Sequence, residues 1–152
     1  MRLEDTPAGV RILIHNPLWQ RYGITPEAAG RMFLDALAQG ATILAARVGG
    51  QMVGFVWYVT HGAWDRSGCI FPIGMLPPYL GKGVGEKLLA AAEAQMAEEV
   101  GEFFLLVTDS NSGAQRFYRR LGYYLVGAIP DYVVAGITEL IFFKKRLEGK
   151  GL

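Results

Sequence analysis

A glycine-punctuated turn between an apolar run and a helical pattern is the feature that most constrains this chain. Gly81, Gly83 and Gly85 occupy alternate positions, shortly after an apolar run and two prolines. From Val84 onward, apolar residues recur at every fourth position (84, 88, 92, 96 and 100), which is typical of one face of a helix. The pattern predicts a strand over residues 69–75 that leads through the turn into a helix.

This order of strand, glycine turn and helix predicts an anion site. Glycine has no Cβ, so the backbone can approach a ligand closely, and the first N–H groups of a helix have no acceptor within it. A phosphate suits such donors. Glu86 and Lys87 follow the last glycine where a P-loop requires Lys-Ser/Thr, and the glycine spacing differs from the dinucleotide pattern G-x-G-x-x-G. Neither common nucleotide motif is therefore present.

Composition bounds the class of protein. The 152 residues are 51% hydrophobic and 19% charged, which predicts one globular domain over residues 1–152. Fifteen basic and 14 acidic residues give a net charge of +1, so we expect no nucleic-acid partner and no anionic membrane partner. Cys69 is the one cysteine, which excludes an internal disulfide. No apolar stretch approaches the roughly 18 residues of a membrane span, and we expect a cytoplasmic protein.

The chain before the turn predicts a helix and a hairpin. Thr25-Pro26 supplies an N-cap and a first-turn proline, and Gly40 ends that helix. Gly49-Gly50 is the two-residue signal of an antiparallel hairpin. The remaining expectations are a turn-rich segment over 2–10, a helical or irregular segment over 11–22, hairpin strands over 41–48 and 51–60, and a polar loop over 61–68.

The chain after the turn predicts strands around a second helix. Gly101 is the expected cap of the first helix, and the apolar run 103–108 suits a strand buried on both faces and parallel to strand 69–75. Asp109, Ser110 and Asn111 offer capping side chains for a helix that Gly122 ends. Two antiparallel strands, over 123–129 and 137–146, complete the expected fold.

The segment from Asn111 to Tyr123 carries a second motif, which reads N-x-x-A-x-x-F-Y-x-x-x-G-Y. Together with Leu80-Gly81-Lys82-Gly83-Val84-Gly85, it resembles the two hallmark motifs of the GNAT N-acetyltransferases, and it follows the loop in the same order as in that family. The resemblance covers roughly residues 41–146. It implies an α/β fold with a mixed, mostly antiparallel central sheet, a splayed parallel strand pair and flanking helices.

The resemblance also implies a function and a set of site residues. The activity would be direct transfer of an acetyl group from the cosubstrate acetyl-coenzyme A to a primary amine of a small molecule or protein, with no metal. Tyr118 would face the thioester sulfur as the catalytic acid, and Leu80 stands where family members usually carry Arg or Gln. By position, the other coenzyme contacts would be the backbone of Ile73 and Met75 for the pantetheine arm, Leu80, Gly81, Lys82, Gly83, Val84 and Gly85 for the pyrophosphate, and Asn111 and Tyr118 for the pantetheine and its thioester.

Four points stay open at the level of sequence: the base, the acceptor, the oligomeric state and the function itself. Residues 70–76 contain no carboxylate, so the base would be a water chain or one of Asp65, His61, Asp131 and Glu139. The acceptor amine is undefined, and a homodimer is one alternative for the oligomeric state. A non-catalytic acyl-coenzyme A-binding regulatory module is the alternative function. Taken singly, each motif residue also has a plain structural explanation as a turn glycine, a helix cap or a core aromatic.

Overall fold

The computed structural model of the chain describes residues 1–146. These residues form two compact units: the first comprises Met1–Val59 and Phe71–Ala92, and the second comprises Thr60–Ile70 and the described chain from Glu93 onward. The expectation of a single domain stays a prediction. Each unit is described by itself below.

Along residues 1–146, three helices precede three strands, and then a helix, a strand, a further helix and two strands follow. The helices are α1 (Thr6–Ile14), α2 (Pro17–Arg21), α3 (Pro26–Ala38), α4 (Val84–Met96) and α5 (Ser112–Arg120), with short 3₁₀ turns at Leu3–Asp5 and Pro77–Tyr79. The strands are β1 (Thr42–Val48), β2 (Gln51–Ala63), β3 (Ser67–Met75), β4 (Glu102–Thr108), β5 (Tyr124–Pro130) and β6 (Thr138–Lys145).

The six strands form one sheet in the order β1-β2-β3-β4-β6-β5. The β3–β4 pair is parallel, and the pairs β1–β2, β4–β6 and β5–β6 are antiparallel. This arrangement confirms the expected mixed α/β fold. No helix within residues 1–146 is long and apolar enough to cross a membrane.

The core of the first unit lies between α1, α3 and the hairpin strands. Thr25 caps α3 by accepting a hydrogen bond from the N–H of Ala28 at 3.2 Å, as the sequence predicts. Phe33 of α3 is fully buried, and its ring meets that of Phe55 edge-on at 5.1 Å. The turn-rich segment expected over 2–10 is wrong from Thr6 onward, because α1 begins there and buries Leu13 in this core.

The hairpin of the first unit forms at the predicted glycines. Gly49 and Gly50 have positive φ values of 55° and 81°, which suits a tight two-residue turn. The polar loop expected over 61–68 is wrong, because β2 continues to Ala63 and β3 begins at Ser67. Strand pairing there outweighs the polar composition, so only a three-residue turn remains.

In β4 of the second unit, buried and more exposed side chains alternate over most of the strand. Phe103 and Leu105 are buried, whereas Leu106 is 40% exposed, so the expectation of a strand buried on both faces is wrong. Gly101 is not the cap of α4, because that helix ends at Met96. The Gly101 carbonyl instead accepts a hydrogen bond from the backbone N–H of Arg146 at 2.7 Å.

Candidate functional site

The glycine turn of the first unit has the backbone geometry that the sequence predicts. Gly81 and Gly83 have φ values of 71° and 78°, in the region that favours glycine. A Cβ built at either position would meet no atom within 4 Å. The carbonyl of Gly83 accepts the first hydrogen bond of α4, from the N–H of Lys87 at 3.1 Å. The turn is therefore an open stretch of backbone that ends at a helix N-terminus.

This N-terminus presents donors to an anion. The N–H groups of residues 84–86 precede the first turn of hydrogen bonds and have no acceptor within α4. The helix dipole adds partial positive charge at the same end. Lys82 and Lys87 are exposed, and Leu80 is 57% exposed and contributes no charge. The capacity for an anion at this turn comes from the backbone and the two lysines.

The strand that leads to the turn is anchored within the first unit. The N–H of Leu76 donates to the carbonyl of Val53 at 2.9 Å. A Cβ at Gly54 would lie 2.9 Å from Cγ of Met75, so only glycine accommodates the Met75 side chain there. Ile73 and Met75 are half-buried. The end of β3 is thus held in place before the chain turns.

β3 is irregular at Pro72. The rings of Phe71 and Trp57 stack at 5.4 Å, and a Cβ at Gly74 would lie 2.7 Å from Cε1 of Phe55. Phe55 and Trp57 are two positions apart on β2 and share a face, so Phe71 and Gly74 share that face although they lie three positions apart. A regular strand would place them on opposite faces. Proline has no N–H and occurs in inner strands mainly at such bulges.

The hydrogen-bonded pairing of β3 with β4 is short. It comprises the pairs Gly68–Phe103, Cys69–Phe104 and Ile70–Leu105, all within the second unit. The pairing stops two residues before Pro72. The register with β4 ends at Ile70, three positions before Ile73, so backbone groups of Ile73 that this register does not pair are candidates for ligand contacts.

The second motif forms α5 and its cap in the second unit. The Oδ1 atom of Asn111 accepts a hydrogen bond from the N–H of Ala114 at 3.1 Å, which makes Asn111 the N-cap. Tyr118 is 8% exposed, and its ring meets those of Phe117 and Tyr123 at 5.1 and 5.8 Å. Burial raises the pKa of Tyr118, so its hydroxyl holds its proton at neutral pH.

Tyr123, whose ring contacts that of Tyr118, belongs to a polar cluster that the sequence did not predict. The hydroxyl of Tyr123 donates to Oε1 of Glu93 at 2.7 Å, and Nζ of Lys144 donates to Oε2 of Glu93 at 2.6 Å. Burial, and then the Glu93 charge and hydrogen bond, raise the pKa of Tyr123. The one sequence feature that pointed to this cluster was the position of Tyr123 at the end of the second motif. The cluster fixes the ring that Tyr118 packs against.

The four candidate bases differ in their surroundings. His61 Nε2 lies 3.0 Å from Oε2 of Glu99 on the exposed surface. Asp131 accepts the N–H of Gly136 at 2.6 Å and so stabilises its own loop, and Asp65 lies in the exposed β2–β3 turn. Glu139 is 3% exposed and is paired with Thr108 in the β4–β6 register. Glu139 is the one buried member of the four.

The predicted site residues fall on both units. The positions from Ile73 to Gly85 belong to the first unit, and Asn111 and Tyr118 belong to the second. No group of three or more histidine, cysteine, aspartate or glutamate side chains that could hold a metal ion occurs in the described part of the chain.

Comparison with known proteins identifies the family. The model of the acetyltransferase (GNAT) family matches residues 12–123. A mycothiol acetyltransferase of Pseudarthrobacter chlorophenolicus is 32% identical over 102 residues, which cover 64% of this chain and 31% of that protein. A streptothricin acetyltransferase of Streptomyces lavendulae is 33% identical over 91 residues, which cover 59% of this chain and 48% of that protein. The chain thus spans about a third to a half of the length of these relatives.

A solved structure shares the fold. The crystal structure of the PaiA N-acetyltransferase of Thermoplasma acidophilum in complex with coenzyme A superimposes with a TM-score of 0.72 and covers 95% of each chain, at 20% identity. The family model spans well over half of the sequence, and both hallmark motifs adopt the turn and the capped helix described above. The chain belongs to the acetyltransferase (GNAT) family.

Proposed function

We propose that this protein is an N-acetyltransferase that moves an acetyl group from acetyl-coenzyme A to a primary amine. The observation that carries the proposal is the open glycine turn, with positive φ at Gly81 and Gly83, at the N-terminus of α4. Membership of the acetyltransferase (GNAT) family supports the same proposed activity. The mycothiol and streptothricin acetyltransferases compared above are longer than this chain, so the activity is tested on this chain directly.

In this proposal the coenzyme is bound mainly by backbone. The pyrophosphate accepts hydrogen bonds from the turn and the first residues of α4, residues 80–85, and Lys82 adds charge. The pantetheine arm pairs with backbone groups of Ile73 and Met75, next to the irregularity at Pro72, and contacts Asn111. Support comes from the unfilled space around the turn and from the related fold that holds coenzyme A in its crystal.

The chemistry requires donors where negative charge develops. The amine nitrogen attacks the thioester carbonyl carbon, the carbonyl oxygen becomes negative, and the C–S bond then breaks to leave a thiolate. A backbone N–H near Met75 stabilises the oxygen, and the Tyr118 hydroxyl protonates the sulfur. The attacking nitrogen loses a proton to a base, which returns one proton to Tyr118 through solvent. The alternatives for that base remain Glu139, Asp65, His61, Asp131 and a water chain.

The protonation state of Cys69 favours direct transfer over a mechanism with an acyl-cysteine intermediate. Burial raises the pKa of Cys69 to about 11, so at neutral pH its sulfur is a thiol rather than a nucleophilic thiolate. An acyl-cysteine intermediate would need the thiolate. We therefore propose attack by the amine itself while coenzyme and acceptor are both bound.

The acceptor is proposed as a class. Two relatives are named for mycothiol and streptothricin, and neither substrate carries over to this chain. The first unit offers an aromatic surface in Phe71, which is 41% exposed and stacks on Trp57. This surface lies on the strand that leads to Met75, so we propose that it contacts the acceptor. A cytoplasmic location and the absence of nucleic-acid and membrane partners remain part of the proposal.

A screen of primary amines tests the proposal. The full chain is mixed with acetyl-coenzyme A and each member of a library of polyamines, amino acids, aminoglycosides and peptide amino termini, and release of free thiol is measured. We expect at least one amine to raise thiol release above hydrolysis, with a mass increase of one acetyl group on that amine. Binding of acetyl-coenzyme A without transfer to any amine would favour the regulatory module instead.

A further inference from the structure

The position of the Tyr118 hydroxyl depends on the packing of its ring. Tyr118 is 8% exposed, and no hydrogen bond within residues 1–146 holds its hydroxyl. The ring meets those of Phe117 and Tyr123 edge-on, with an interplanar angle of 71° to each. Phe117 precedes Tyr118 on the same helix, whereas Tyr123 lies after the end of α5. The orientation of the Tyr118 ring therefore depends on what holds Tyr123.

The backbone also connects these two tyrosines. The carbonyl of Tyr118 accepts hydrogen bonds from the N–H groups of Leu121 and Tyr123, each at 3.0 Å. Gly122, which lies between the two donors, has a φ of 93°, so the chain can close this turn without strain. A ring contact and a main-chain hydrogen bond thus join Tyr118 to Tyr123 at the C-terminal end of α5.

Tyr123 is held at two points by side chains of other elements. Its hydroxyl donates to Oε1 of Glu93 on α4 at 2.7 Å, and Nζ of Lys144 on β6 lies 5.3 Å from the centroid of its ring. The same Nζ donates to Oε2 of Glu93 at 2.6 Å. The side chains of Glu93 and Lys144 are 16% and 25% exposed, so solvent screens this ion pair less than one on the open surface. All three residues belong to the second unit.

We infer that Glu93 and Lys144 are positioning residues for the reaction: they fix Tyr123, and Tyr123 fixes the ring that carries the Tyr118 hydroxyl. This inference rests on the proposed acetyl transfer, in which that hydroxyl protonates the leaving sulfur. A general acid must lie within hydrogen-bond reach of the atom that it protonates. Catalytic groups need to be held to within about 0.5 Å of that geometry by the residues around them. A hydroxyl without its own hydrogen bond depends on its ring for this precision.

Glu93→Gln in the full chain tests the inference. Glutamine keeps the shape of the side chain but has one acceptor oxygen in place of two, so in the present geometry it holds Tyr123 or Lys144 but not both. We expect kcat for transfer to fall about tenfold and KM for acetyl-coenzyme A to stay within about twofold, because the acid is displaced and the coenzyme site is unchanged. Glu98→Gln, at an exposed position outside the cluster, is the matched control and should keep the parental kcat.

The same substitution in Tyr118→Phe separates positioning from a general loss of structure. If the cluster acts through the Tyr118 hydroxyl, Glu93→Gln should lower kcat no further once that hydroxyl is absent. An equal fall in both backgrounds would overturn the inference, and so would a parental kcat for Glu93→Gln alone. Should Glu93→Gln lose its folded circular dichroism spectrum, Lys144→Met replaces it, with Lys145→Met at the next, exposed position as its control.

A second measurement needs no substrate. The ring-proton NMR signals of Tyr118 depend on the orientation of the Tyr123 ring, whose centroid lies 5.8 Å away. Glu93→Gln should therefore shift these signals, and Glu98→Gln should not. Unchanged signals in Glu93→Gln would overturn the inference even if the parent acetylates an amine. Shifted signals, together with a parent that acetylates no amine, would support the positional contact and overturn the proposed acetyl transfer instead.

Discussion

The two motifs of this protein are built on opposite physical principles. The glycine turn offers backbone groups in open space, with no atom within 4 Å of a Cβ placed at Gly81 or Gly83. α5 offers a side chain, Tyr118, which is 8% exposed and packed between the rings of Phe117 and Tyr123. The first motif depends on exposed backbone without side chains, and the second depends on one buried side chain.

The difference shows how each motif must be tested. In the turn, an added Cβ meets no protein atom within 4 Å, so the effect of a substitution on a ligand is separable from its effect on packing. In α5, any change beyond the hydroxyl disturbs a core. Binding should therefore depend on the turn, and the chemical step on the Tyr118 hydroxyl.

Gly83→Asp is expected to have the largest effect. A carboxylate at the turn repels the pyrophosphate and blocks its approach to donors that are each worth about 1.5–3 kcal/mol, so affinity for acetyl-coenzyme A should fall about a hundredfold or more. Calorimetric titration of the full chain measures the loss. Gly50→Asp is the matched control, because Gly50 also has positive φ and no atom within 4 Å. Equal affinities for the two variants would place the phosphates elsewhere.

Tyr118→Phe is expected to lower the rate of transfer and little else. The ring and its packing remain, so affinity for the coenzyme and the melting temperature should hold. Loss of a general acid costs about 10²–10⁴ in rate, and the low end is expected because a thiol with a pKa near 8.5 leaves readily. Single-turnover transfer with saturating coenzyme is the measurement. A parental rate in this variant would remove the hydroxyl from the mechanism.

The sequence predicted the backbone motif more completely than the side-chain motif. Glycine spacing alone located the turn, because positive φ at Gly81 and Gly83 is a local property. The cap at Asn111 was equally local. The cluster of Tyr123, Glu93 and Lys144 was not predictable, because it joins residues 30 and 51 positions apart. Pro72 in an apolar run indicated that β3 would be irregular. The length of β2 was not predictable, because it depends on strand pairing and its last residues are polar in composition.

Leu80→Arg should tighten coenzyme binding about tenfold. Leu80 is 57% exposed beside the turn and contributes no charge, and a guanidinium there adds a charge-assisted contact to the pyrophosphate worth about 1–3 kcal/mol at best. Leu34→Arg adds the same charge at an exposed position of α3 and controls for general attraction. The same calorimetric titration measures both affinities. Equal affinities of the two variants would show that position 80 does not contact the phosphates.

Tyr123→Phe is expected to lower the stability of the fold. The hydroxyl bond to the Glu93 carboxylate is worth about 1.5–3 kcal/mol of the free energy of unfolding. The raised pKa of Tyr123 keeps it neutral in the folded state, so the parent should lose stability as the pH rises above about 10, where the unfolded tyrosine ionises. The variant should lose less over that range. Tyr124→Phe, at an exposed neighbour, should match the parent in urea unfolding.

Thermal unfolding of the full chain with acetyl-coenzyme A, ATP or NAD tests the central claim most directly. At a hundredfold excess over its dissociation constant, acetyl-coenzyme A should add about 2.7 kcal/mol to the free energy of unfolding and raise the melting temperature visibly. ATP and NAD at the same concentration should add much less. Protection by ATP that equals or exceeds that of acetyl-coenzyme A would contradict the account.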